Sequence, residues 1–329
     1  MAATLARVGR RSALLAATAL ALVVVAALVA QGDDERAGTL GPGLDERWAA
    51  ELRFAGPDAV GDDVAVGITS AGVVVLVEAR HDDGFTVTTP CGNEGRVAVL
   101  APVPPGTVVV DPGHGGSDPG AIGPNGLTEA DLDLAVATEA ANRLAEEGVA
   151  AVLTRTGDHA VSLEVRARVA VALAAPAFVS VHHNAGATDL SDSPGTEVYH
   201  QVGRPSSQRL GGLVYEEVTG ALAGYPVRWR TFGSGVTWRT NDAGEDYFGV
   251  VRGAGEVPAV LAELAFLDHP EEADLLARPE VQDVEGDAVA RGVLRFLGSD
   301  DPGRGFVDGR PLGSSPGGGP PSCVDPPLG

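Results

Sequence analysis

The run Val108-Val109-Val110-Asp111-Pro112-Gly113-His114-Gly115-Gly116 limits the folds open to this chain more than any other stretch. Three consecutive β-branched residues read as a buried strand, and Pro112 with the glycines ends it abruptly. His114 is therefore presented on a loop at the strand's carboxyl end, which is where open α/β sheets bind their ligands. The surrounding glycines let a metal or a substrate come close to the backbone.

From Thr107 onward apolar strands alternate with longer amphipathic stretches, the pattern of an α/β domain. Thr128 is a helix N-cap with Asp131 three residues on, and Leu132, Val136 and Leu144 continue a helix to Glu147, before Gly148. Strands are expected at 150–153, 177–181, 196–199 and 257–264, and helices at 163–174, 206–222, 271–276 and 281–297. The irregular Arg/Trp/Gly/Asp-rich segment between Gly224 and Gly253 is expected to form a wall facing the substrate. Ahead of this domain, residues 47–103 carry short apolar runs separated by Asp/Gly and Pro turns, which suggests a small antiparallel β-rich unit. Pro102-Val103-Pro104-Pro105-Gly106 is a stiff connector between the two. Residues 298–329 are rich in Gly, Pro and Ser and are expected to form a flexible tail.

The amino terminus reads as export machinery would read it. Arg7, Arg10 and Arg11 precede an unbroken Ala/Leu/Val run from Ser12 to Ala30, and Asp33-Asp34-Glu35 follow. Residues 1–31 are thus a signal peptide or a signal anchor, and 32–46 a linker, so the remainder is expected outside the cytoplasm, secreted or anchored to the membrane through that segment. The formal net charge of −22 argues against nucleic acid as a partner. All 23 basic residues are arginines, which excludes a phosphate-loop, Schiff-base or general-base lysine. Two cysteines, Cys91 and Cys323, are too few for a thiolate zinc site; they either pair in an oxidising exterior or remain free thiols.

Four residues stand out by position: His114 after one strand, His182 at the end of another, Glu263 at the end of a third, and Glu129 at the start of the helix after the first turn. Strand ends from distant parts of a mostly parallel sheet converge on one edge, so these four can meet. Two histidines and a carboxylate are the donor set of a catalytic zinc site with a position left for water, and a further carboxylate nearby can carry the proton. His183 alternates with His182 and is expected to face a helix or solvent. His81, His159, His200 and His269 are expected at the surface.

Several ordered motifs resemble a known family. Val109 to Gly116, Leu127-Thr128-Glu129, Leu153-Thr154-Arg155-Thr156, Ser162-Leu163-Glu164 with Arg166-Ala167-Arg168, Ser180-Val181-His182-His183-Asn184-Ala185 and Val260 to Leu267 are similar to the successive motifs of zinc-dependent N-acetylmuramoyl-L-alanine amidases of the Amidase_3 type. The resemblance covers residues 107–297. It implies a mixed, mostly parallel sheet flanked by helices, and a Zn2+ held by His114, Glu129 and His182. It also implies Glu263 as general base, peptidoglycan as the partner, and cleavage between N-acetylmuramic acid and L-alanine. A zinc peptidase cutting within the stem peptide, or an inactive wall-binding module, are the alternatives. The β-rich unit matches no motif set, and the sequence names no oligomeric state.

Overall fold

The computed structural model describes residues 52–314 and 322–329. The expected export segment and linker lie outside the described residues. Within them, no helix is long and apolar enough to cross a membrane.

The short amino-terminal runs form β1 (Val66–Ile68), β2 (Val74–His81), β3 (Gly84–Thr88), β4 (Glu94–Val97) and β5 (Ala101–Pro102). They make one sheet, ordered β4-β3-β2-β1-β5, in which every neighbouring pair is antiparallel. Next come β6 (Val108–Pro112), α1 (Glu129–Glu146), β7 (Ala151–Leu153), α2 (Leu163–Ala172), β8 (Phe178–Asn184), β9 (Asp189–Ser191), β10 (Glu197–His200) and α3 (Pro205–Leu222). The 224–253 segment holds β11 (Trp229–Thr231), β12 (Gly235–Thr237), β13 (Arg239–Thr240) and α4 (Gly249–Gly253). β14 (Ala259–Phe266), α5 (Pro270–Leu276), α6 (Pro279–Gly298) and β15 (Arg310–Pro311) complete the chain.

The central sheet is mixed, in the order β12-β10-β14-β8-β6-β7. β7, β6, β8 and β14 run parallel, β10 is antiparallel to β14, and β12 runs with β10. Alternation along the strands sorts their side chains onto two faces. Val108 and Val110, Val179 and Val181, and Val260 and Ala262 point into one core with α1, α3 and α6. Val109, Phe178 and Leu261 point into the other, against α2 and α4. This is a mixed α/β fold with helices on both faces of a central sheet. On α1, Leu132, Val136, Ala140 and Leu144 form the fully buried stripe, and the Thr128 hydroxyl caps the first turn by accepting from the Asp131 amide at 3.2 Å.

The small β-rich unit packs against the domain that follows: Val66, Ile68, Val74 and Leu76 share one core with Val109, Phe178 and the buried face of α2. Both faces of this small sheet are apolar: Val75, Phe85 and Val87 pack into a core of their own with Leu100, and the other face is covered by the domain that follows.

The expectation of a flexible tail is corrected: the described residues after Gly298 are held in place. The Asp301 carbonyl accepts from Arg209 Nε, Phe306 bridges to Val236, β15 pairs in parallel with β13, and Cys323 forms a disulfide with Cys91. Asp325 then accepts from the Cys91 amide and the Asn93 side chain, both at 2.8 Å. Low apolar content is offset here by backbone bonds to an open sheet edge and by a covalent link.

Candidate metal centre

The chemistry-bearing residues gather at the carboxyl ends of β6, β8 and β14. β6 stops at Pro112, and the chain turns at His114, whose φ of 54° lies in the left-handed region that a β-carbon disfavours. Two buried arginines hold this turn. Arg155 donates to the carbonyls of Pro112 at 3.2 Å and Gly113 at 2.6 Å, and Arg166 donates to those of Pro112 and His114. Arg166 also pairs with the fully buried Asp111 at 2.8 Å, and Ser180 on β8 donates to the same carboxylate at 2.6 Å. The turn that carries His114 is therefore tied to α2 and β8.

His114 Nε2 lies 3.0 Å from Glu129 Oε1, and His182 Nδ1 lies 3.1 Å from the same oxygen. With Asp133, one helical turn beyond Glu129, these residues present donor atoms that all fall within 4.8 Å of one another. Glu129 is nearly buried at the start of α1, where its second oxygen accepts from the Ala121 amide at 2.8 Å. Asp118 steadies the other side of His114, its carboxylate 2.9 Å from Nδ1. Such outer partners fix the ring and the tautomer of a ligating histidine.

The donor set suits a divalent cation. Separations of 3.0 and 3.1 Å are close to the ~3.3 Å that bonds of about 2.0–2.2 Å to a tetrahedral zinc require. Two imidazoles and a carboxylate are the chemistry such an ion accepts. The backbone leaves room for it: a β-carbon on Gly113 would stand 2.3 Å from His182 Cε1, and one on Gly120 2.5 Å from Glu129 Oε2. The electrostatics agree. Burial lowers the proton affinity of His114, but the carboxylates of Glu129, Asp133 and Asp118 outweigh it and push the ring up to about 9. A field that draws a proton so strongly also draws a metal ion.

Glu263 stands beside this group rather than in it. β14 pairs with β8 so that Glu263 is opposite His182, and with β10 so that Glu263 is also opposite Glu197. Its Oε2 is buried without a hydrogen-bond partner among the described residues, and burial pushes the carboxyl up to about 8. Beside His114 and His182 opens a cleft of about 180 Å³, walled by Val161, Leu163, Phe248 and Val250.

His183 faces inward, almost fully buried between α1 and α6, with Nδ1 2.8 Å from Asp133 Oδ1. His81 is exposed and bonds Thr86. Three of the four histidines expected at the surface are not there. His200 is 6% exposed and bonds the Gln201 carbonyl, His269 is mostly covered beside Glu272, and His159 has a buried Nε2. Burial and the neighbouring Arg155 and Arg166 lower His159 to about 4. Asp133, Asp118, Arg155 and Arg166 were not singled out by spacing. Asp133 alone had a usable signal, since it follows Glu129 by one helical turn.

Residues 108–295 match the family model of Amidase_3, N-acetylmuramoyl-L-alanine amidase. The chain is similar to the uncharacterized protein YqiI of Bacillus subtilis, 36% identical over 215 residues, covering 64% of this chain and 92% of that one. It is also similar to the N-acetylmuramoyl-L-alanine amidase AmiC of Neisseria meningitidis, 29% identical over 284 residues, covering 78% of this chain and 66% of AmiC. The crystal structure of an N-acetylmuramoyl-L-alanine amidase from Clostridium difficile 630 superposes with a TM-score of 0.50 at 30% identity, over 60% of this chain and all of that one.

Proposed function

Since the chain belongs to the N-acetylmuramoyl-L-alanine amidase family, we propose that it is a peptidoglycan hydrolase that cleaves the amide between the lactyl group of N-acetylmuramic acid and the L-alanine of the stem peptide. The observation that carries this reading is the meeting of His114, Glu129 and His182, from three separate elements, around a space fitted to a cation. These three are the residues that hold the metal, and zinc is the ion their chemistry fits best. When bound there, zinc supplies Lewis acidity and makes an attacking water acidic near neutral pH.

The protein's own part is positioning and proton handling. Asp118 and the Ala121 amide keep His114 and Glu129 in place, and Arg155 and Arg166 keep the His114 turn from relaxing. Glu263, opposite His182 and with Oε2 unpartnered among the described residues, has a carboxyl that burial keeps protonated. Beside the positive charge of a cation held by His114, Glu129 and His182 it returns to the ionised form, and as the carboxylate it accepts the proton of the attacking water and returns it to the leaving alanine amine. The apolar cleft beside the histidines excludes water from one side of the scissile bond. Peptidoglycan as substrate puts the working enzyme outside the cytoplasm, where the Cys91–Cys323 bridge persists. Residues 1–31 serve there as signal peptide or membrane anchor.

Replacing Glu263 with Gln tests the assignment. The variant is expected to retain zinc, measured by elemental analysis, while turnover on purified peptidoglycan falls by a factor of about 10² or more. Mass analysis of the wild-type digest is expected to show intact stem peptides released from glycan. Fragments cut within the stem would assign a peptidase instead, and an active Glu263→Gln enzyme would remove Glu263 from the chemistry.

A further inference from the structure

Behind the donor set lies a chain of buried ionisable groups that the proposed reaction does not use. Asp133 on α1 and Glu285 on α6 are both 0% exposed, and His183 on β8 is 1% exposed. His183 stands between the two carboxylates, Nδ1 2.8 Å from Asp133 Oδ1 and Nε2 3.5 Å from Glu285 Oε2. Asp133 Oδ2 has no hydrogen-bond partner among the described residues. It points at the donor set, 3.9 Å from His182 Nδ1.

An ionised carboxylate left unpaired in the interior is costly, and a fold tolerates one where a counter-charge meets it. One oxygen of Asp133 is taken by His183, so the carboxylate cannot rotate away, and the free oxygen is left facing the place where a cation fits. Glu285, in turn, faces the second nitrogen of His183 across 3.5 Å. Neither that nitrogen nor either Glu285 oxygen has a hydrogen-bond partner among the described residues, so the contact is one of charge, and it favours the ring orientation that holds Asp133. Neither Asp133 nor Glu285 lines the cleft beside His114 and His182.

Resting on the reading that His114, Glu129 and His182 hold a divalent cation, we propose that Asp133 is a positioning residue of that centre. Its charge stands beside His182 to tighten the cation, and the Glu285–His183 pair sets its place. Asp133 acts through the ligands and does not touch substrate. The same pair explains why the strand spends two consecutive histidines, one turned to the metal and one turned back to hold the residue behind it.

Zinc affinity, measured by competition with a chromogenic chelator, tests this without reference to turnover. Asp133→Asn is expected to bind zinc about 10–100-fold more weakly than wild type, the range usual for partners of ligating residues, and Glu285→Gln to weaken it at the lower end of that range. Thermal unfolding in excess chelator serves as the control. A purely structural role lowers the unfolding temperature of the metal-free variants and leaves zinc affinity at the wild-type value, and that result would overturn the proposal. Loss in Asp133→Asn with none in Glu285→Gln would overturn the three-residue chain. Should Asp133→Asn not fold, Glu285→Gln decides alone, since it lies farther from the donors. If the wild-type protein binds no zinc, the reading of the donor set itself fails; if the wild type binds it and both variants match it, only the role of Asp133 fails.

Discussion

Gly113 shows how little latitude single residues have at this centre. A β-carbon there would meet His182 Cε1 at 2.3 Å and Asp133 Oδ2 at 2.6 Å, and neither retreats freely, because Glu129 holds the ring and His183 holds the carboxylate. Gly113→Ala is therefore expected to displace His182, costing about 1–3 kcal/mol of stability by overpacking and lowering zinc content below one ion per chain. Chemical denaturation and metal analysis of the purified variant check both effects. An alanine variant with full zinc and unchanged stability would show that the ring has more room than these distances allow. At this scale much could be read in the sequence. His114 and His182 were visible because a strand running into a turn or into polar residues marks a sheet's ligand-binding edge, and Glu129 because an acid at a helix start is easy to place. Asp133 was legible only as an acid one helical turn beyond Glu129; its partnership with His183 and Glu285 is what separates it from any polar helix residue. The roles of Arg155 and Arg166 lie in carbonyls more than 40 positions away, which local pattern cannot reach.

Among the elements, the junction of β6, β8 and α2 determines whether the site is assembled at all. Asp111 of β6 accepts from Ser180 of β8, from Arg166 of α2 and from Thr154, with no solvent exposure. Burial pushes its carboxyl up, but the Arg166 guanidinium and the two hydroxyls outweigh that and hold it below the usual carboxylate range. A carboxyl lowered in the folded state contributes stability that is full above the unfolded value of about 4 and is lost as pH falls below it. Asp111→Asn is thus expected to cost about 3–5 kcal/mol at pH 7, by leaving Arg166 buried without its counter-charge, and to flatten the loss of stability as pH falls below about 4. Urea unfolding of both proteins at a series of pH values measures each effect. Strand and helix positions in this part of the chain were legible because period-two and period-3.6 patterns are local. The amino-terminal sheet was legible as strands, but the surface it covers was not, since that depends on Val66 and Leu76 finding Val109 and Phe178.

Over the whole molecule, the Cys91–Cys323 bridge joins the amino-terminal sheet to the last residues of the chain across 232 positions. Ser322 lies one residue before it, and its carbonyl accepts from Ser117, in the same turn as His114, at 2.6 Å. Closing so long a loop constrains the unfolded chain, and Cys91→Ser is expected to lower stability by up to about 5 kcal/mol. Comparing denaturant midpoints of the variant with those of the oxidised and reduced wild type checks this, and reduced wild type should match the variant. Composition registers few apolar residues in the carboxyl-terminal segment and so points to a flexible tail, while the pairing of Cys91 with Cys323 that ties it down was one of two alternatives the sequence left open. The bridge has a further effect on how the protein ages among proteases outside the cytoplasm. One cut anywhere between positions 91 and 323 leaves two fragments still tied together, so a nicked molecule keeps its mass until a reductant is added.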